Sequence, residues 1–225
     1  MNIRRTLIAG LALASTAAIV PAAVDADNDR GPTSTYRITV ENLTPAGSQP
    51  LSPVGTVVHN RRTDVWSVGY PATAAVAAIA EDAGLPVFVD TYGQTPGVDL
   101  ATVGGAGAIS PGESATFEIE ARRGQRLSLV SMLVNTNDAF TGLDSIRLGR
   151  RWQEFEVGAY DAGTEVNNED PAFIPGPVGG NGGVRDPEGG VIQPHAGIVG
   201  QPGGIDPDLY GWDDPVARIT IERID

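Results

Sequence analysis

Residues 127–165 (LSLVSMLVNTNDAFTGLDSIRLGRRWQEFEVGAYDAGTE) constrain the fold more than any other part of the chain. The stretch opens on a mainly apolar run, 127–134, of the length and character of a strand buried on both faces. The run stops at Asn135-Thr136-Asn137-Asp138, turn-formers whose side-chain oxygens either bond to the backbone or hold a cation. The arrangement then repeats: residues 152–160 read as a strand that empties into Asp161-Ala162-Gly163-Thr164-Glu165. Two strands therefore end in acidic loops. If both loops lie at one end of a sheet, Asp138, Asp161 and Glu165 converge. At about 5 Å and an effective dielectric near 20, each carboxylate pair repels by roughly 3 kcal/mol, so such a cluster needs a cation or an arginine beside it. Oxygen-only donors favour Ca²⁺. The alternative is a pair of solvated loop tips with Arg147, Arg150 and Arg151 as the countercharge.

The chain has 225 residues, enough for one domain with a substantial core. It has no cysteine, so neither a disulfide framework nor a thiolate metal site is available. The net charge is −13 and all 15 basic residues are arginine. Nucleic acid is not an expected partner, because no basic cluster larger than an arginine pair such as Arg122-Arg123 or Arg150-Arg151 is present. Residues 1–26 have the form of an export signal: Arg4 and Arg5 at the start, an apolar segment over 7–20, and an alanine-rich stretch around 22–26. The mature protein is thus expected to be secreted or held at the cell surface, and no later stretch approaches the length of a membrane span. The Arg4-Arg5 pair leaves both the general and the twin-arginine export routes open.

Residues 27–35 read as a flexible lead-in. YRITVENL at 36–43 alternates as a strand with one wet face, and 54–59 reads as a second strand. Residues 71–83 form the one convincing helix, stopped by Gly84; 85–89 is another apolar run and 93–107 a loose loop. SATFEIEA at 114–121 alternates, with Phe117 and Ile119 on one side and Glu118 and Glu120 on the other. Residues 122–125 then read as a hairpin that places Glu120 beside the strand leading to Asp138. Glycine and proline dominate from 171 to 215, which predicts a long, partly ordered excursion, before PVARITIERI closes the chain as a strand. The sum is an antiparallel sandwich.

SLVSMLVNTNDAFTGLDSI, then DAGTE, then DPEGG at 186–190, then PVARITIERI, in that order, resemble the spondin N-terminal domain family, the domain of F-spondin and mindin. The resemblance spans nearly the whole mature chain, 36–225, with 176–214 as a Gly/Pro-rich insertion. It implies an eight-stranded antiparallel β-sandwich, C2-like, with one short helix here and a Ca²⁺ ion at one end. Carried over residue by residue, the ion's ligands fall on Glu120 in IEARR, Asp138 in NTND and Asp161 in DAGTE, with Glu165 standing where the family has an aspartate. The chain departs from the animal members in lacking their cysteines and the Pro-Asp-Trp sequence, which is Asn137-Asp138-Ala139 here.

The expected function is a secreted, calcium-binding, non-catalytic adhesion or matrix-interaction module whose ligand is an extracellular protein or polysaccharide. The alternatives are a structural surface or biofilm component and, with less support, a hydrolase. For the last, only His59 and His195 are available as neutral-pH bases, and no G-x-S-x-G motif is present. Trp66, Trp152 and Trp212 are expected to pack, with Trp212 the best placed for an exposed contact. Asp144 reads as a support for the ion site or a turn cap. Asn42-Leu43-Thr44 fits a glycosylation site.

Overall fold

The computed structural model describes residues 32–180 and 183–225, so the expected export signal lies outside the described residues. In chain order the elements are β1 (Thr33–Asn42), β2 (Val54–His59), α1 (Ala74–Asp82), α2 (Leu85–Gly93), β3 (Val98–Gly104), β4 (Ser114–Arg122), β5 (Arg126–Met132), β6 (Ala139–Arg147), β7 (Gln153–Val157), β8 (Tyr160–Asp161), a 3-10 turn at Pro171–Phe173, β9 (Gln193–Pro194), the four-residue α3 (Pro207–Tyr210) and β10 (Ala217–Arg223). The strands form two antiparallel sheets, one ordered β4-β1-β10-β7 and the other β3-β2-β5-β6-β8-β9. This is a β-sandwich, but with ten strands where eight were expected.

The interior forms because inward positions of the two sheets are apolar at a period of two. Tyr36, Ile38 and Val40 of β1, Ile119 of β4, and Ile219 and Ile221 of β10 pack on Val54, Val58, Leu127, Leu129 and Leu143 of the larger sheet. The other face of that sheet is also covered. Val57, Val130, Met132 and Phe140 point away from the sandwich into a second cluster closed by Val76, Ile79, Phe88, Tyr92 and Trp66. β5 is thereby buried on both faces, as its lack of alternation requires.

The single-helix expectation is corrected. Residues 85–89, read only as an apolar run, start α2: Pro86 occupies the first turn, and Phe88 and Tyr92, four apart, meet at 4.8 Å between centroids on the sheet. The loose loop expected over 93–107 contains β3, an edge strand whose apolar alternation is obscured by flanking glycines. The lead-in ends earlier than expected, because Thr33 to Thr35 already pair with β4. Finally, 122–125 is not a hairpin, because β4 and β5 belong to different sheets and the chain crosses between them there.

The Gly/Pro-rich segment is tied to the sandwich in two ways. Ile174, Ile198 and Ile205 form a small buried cluster of their own, with Tyr210 and Trp212 against it. Buried Glu169 accepts backbone N–H bonds from Val199 (2.6 Å), Gly200 (2.8 Å) and Gln201 (2.7 Å), so one carboxylate fixes a run of chain that has little apolar surface of its own.

Candidate functional site

The turn after β5 is pinned inward. Leu133 and Ala139 close it (Leu133 N to Ala139 O, 2.9 Å), while Thr136 Oγ1 donates to Leu133 O at 2.6 Å and accepts from Ala139 N at 3.0 Å. Asn135 Nδ2 donates to Ser48 O at 2.8 Å, and Asn137 Oδ1 accepts from Glu169 N at 3.2 Å. Residues 135–138 are therefore buried, Asp138 completely so, and are not solvated tips.

The DAGTE loop folds over this turn. Asp138 Oδ2 accepts from Thr164 N (2.7 Å), Thr164 Oγ1 (3.0 Å) and Glu165 N (3.0 Å), leaving Asp138 Oδ1 buried with no partner. Asp161 Oδ1 caps Gly163 N at 2.7 Å, and its Oδ2 accepts from Asn167 Nδ2 and Gln193 Nε2. Gly163 sits at φ +68° with Val191 N only 2.6 Å from where a Cβ would stand, so only glycine fits between the two loops. The loop then zips onto the DPEGG segment through Glu188 N to Thr164 O (2.9 Å) and Gly190 N to Gly163 O (2.8 Å).

That zipper delivers the residue the sequence did not single out. Arg185, one position before DPEGG, places Nε 2.6 Å from Glu165 Oε1 and 3.1 Å from Glu81 Oε2, and its Nη2 meets Asp82. Glu81 and Asp82 end α1, where the helix dipole disfavours negative charge, so the guanidinium offsets both the acids and the dipole. Its Nε–H is aligned on Glu81, and neither Glu165 oxygen receives an aligned hydrogen bond. Glu165 is only 1% exposed. Burial pushes its pKa up to about 8, opposed by Arg185 and aided by Glu81, Asp138 and Asp82. Burial likewise raises Asp138 to about 6, with Asp161 adding to the effect and the N–H donors of Glu165 and Thr164 opposing it.

The acid cluster thus has its arginine, but not one of the three expected. Arg147 starts the strand pair at Arg126 and Asp138 lies beyond its far end at Met132, so Arg147, with Arg150 and Arg151 just after it, is separated from the acids by about 20 Å of strand. Glu120 is not part of the cluster either. It pairs with Thr35 in the smaller sheet and is exposed on the outer face. It also lies near the end of β4 that leads away from Asp138, because the β4–β5 connection crosses between sheets. Of the four residues expected to bind metal, the structure brings together Asp138, Asp161 and Glu165. Among the described residues, no group of three or more His, Asp or Glu side chains is placed to hold a metal ion.

Both histidines are held neutral by burial, and their ring nitrogens are occupied. His59 Nδ1 bonds to Asn60 O at 2.8 Å and its Nε2 meets Ser128 Oγ at 2.9 Å, a serine–histidine contact sealed inside the fold with both residues fully buried. His195 bonds Asn167 Oδ1 and Gly197 N and lies against Trp212. Asp144 stands away from the acid cluster, near His59, Asp64 and Ser67. Trp66 is in the core and Trp212 half-buried; the exposed tryptophan is Trp152, at 58%.

The fold and site together define a β-sandwich with a buried acid–arginine cluster clamping its loops at one end. No protein-family model matches the chain, and no curated protein matches it. No helix among the described residues is long and apolar enough to cross a membrane.

Proposed function

We propose that this chain is a secreted, calcium-binding, non-catalytic adhesion or matrix-interaction module of the spondin type, with the ion held at the Asp138–Glu165 end. The observation that carries this reading is a set of under-satisfied acceptors: Asp138 Oδ1 and Glu165 Oε2 are buried without a partner, and Glu165 Oε1 has only the unaligned ion pair to Arg185 at 2.6 Å. Burying unpaired carboxylate oxygens is costly, and a hard cation is the partner that suits them. The chemistry of the donors fits calcium, being oxygen throughout, but the set is smaller than the resemblance implies. Glu120 is elsewhere and Asp161 already spends both oxygens on N–H donors, so Asp138 and Glu165 would hold the ion, with neutral oxygens and water completing the six to eight ligands it takes. Calcium and Arg185 then compete for Glu165. When bound, the ion supplies positive charge that fixes the two loops, and the neighbouring surface takes the ligand.

A specific observation supports a second reading, a structural surface component that needs no ion: Arg185 already provides positive charge beside Glu165. Calcium titration of the chelator-treated mature protein, by calorimetry and melting temperature, separates the two. Heat near one equivalent with a rise in melting temperature that Asp138→Asn loses supports the calcium module. No heat and no shift up to about 10 mM, above the range of extracellular sites, leaves the structural component.

A further inference from the structure

The end of the sandwich remote from the acids carries the opposite charge. Two connections cross between the sheets there, residues 123–125 from β4 to β5 and residues 148–152 from β6 to β7. They are fastened to each other by Gly124 N to Leu148 O (3.0 Å) and Leu148 N to Gln125 O (2.8 Å), with the Leu148 side chain fully buried beneath them. The Arg122-Arg123 and Arg150-Arg151 pairs, apart in sequence, are thereby joined. Arg123, Arg147, Arg150, Arg151 and Trp152 line one open cavity of about 520 Å³, within the size range of small-ligand sites.

Three features of this cavity point to a ligand. First, no acidic side chain among the described residues lines it, although the chain has 28 acidic residues. Second, its four arginines make no ion pair with any described acid, unlike Arg122, which is neutralised by Asp99. Third, Arg147 lies directly across the sheet from Arg126, a like-charge pairing that disfavours the strands and adds positive potential beside the cavity. Arg126 turns its Nη1 to Ser145 O at 2.6 Å, and Arg147 is exposed. Guanidinium groups take carboxylate or sulfate in paired hydrogen bonds, and the exposed face of Trp152 beside them suits a sugar ring.

We propose that this arginine–tryptophan end binds an anionic polysaccharide, its carboxylate or sulfate groups on Arg123, Arg147, Arg150 and Arg151 and a ring stacked on Trp152. The site goes beyond the calcium reading and does not depend on it, because it uses none of the acid-cluster residues.

The test is calorimetry on the mature protein in chelator with five probes: a galacturonic acid hexamer, a sulfated heparin hexasaccharide, neutral maltohexaose, a single-stranded deoxyoligonucleotide and a hexaglutamate peptide. Each is measured at about 50 mM and about 300 mM salt. The expected result is binding of a uronate or sulfated hexasaccharide that weakens at the higher salt, with none of maltohexaose. Replacing Arg150→Gln together with Arg151→Gln weakens it about tenfold or more, as loss of charge-assisted bonds requires. Trp152→Ala weakens it several-fold. No binding of either charged sugar at low salt, tighter binding of the oligonucleotide or the peptide, or unaltered affinity in the arginine or tryptophan variants overturns the proposal. All the replaced arginine and tryptophan side chains are exposed, so loss of folding does not confuse the result.

Discussion

Glu165 is the residue on which the acid cluster turns, because it is buried beside one arginine and three other carboxylates. Folded, it holds its proton up to about pH 8 against an ordinary 4.5, and Asp138 holds its own up to about 6 against 3.8. The folded chain therefore binds more protons than the unfolded one between about pH 4 and pH 8, and stability falls as pH rises through that window. Urea midpoints at several pH values in chelator should show this decline, and Glu165→Gln should remove most of it above about pH 6. Asn42 gives a second expectation at this scale. Its Nδ2 donates at 2.8 Å to both Gln49 O and Ile109 O inside the fold, so the Asn-Leu-Thr sequence offers no free amide for a sugar once folded. Asn42→Ala, which removes one donor from each of those carbonyls and takes from buried Thr44 N its acceptor, Asn42 Oδ1 at 2.9 Å, should cost about 1–3 kcal/mol by chemical denaturation. The tryptophan expected to be exposed and the one that is exposed differ because Trp212 found a histidine and a small core in the Gly/Pro-rich segment, contacts that no neighbouring residue announces.

At the scale of elements, the strands that were legible are those whose pattern depends only on their own residues. β1, β4 and β10 alternate because one face of their sheet is wet, and β5 does not because α1 and α2 cover its second face. α2 was misread because five apolar residues look alike in a strand and in a helix, and the i, i+4 pair Phe88 and Tyr92 lay partly beyond the run. β6 depends on a residue with no side chain. Gly142 faces Val130, and a Cβ there would stand 1.9 Å from Leu129 O, so Gly142→Ala must push the central strand pair apart. The expected loss is about 1–3 kcal/mol or more, read from the thermal or urea transition, with no compensating gain elsewhere.

For the whole molecule, the charge is both large and divided: acids clamp the loops at one end and unpaired arginines crown the other. With a net charge of −13, self-repulsion works against the folded state, so the melting temperature should rise by several degrees between low salt and about 0.5 M NaCl, where the Debye length has fallen to only a few ångströms. A flat response would mean that the acids are already locally paired. The sequence by itself determined the all-β class, the doubly buried central strand and the first helix, because periodicity acts between residues whose spacing the chain itself sets. Only the tertiary structure decided that the Asp138 and DAGTE loops meet, that Arg185 is the partner of Glu165, that Glu120 faces solvent on the other sheet, and that two distant arginine pairs share one cavity. Each of these depends on which strands pair and where the chain crosses between sheets, and that is fixed by closing the whole sandwich around its core rather than by any local stretch.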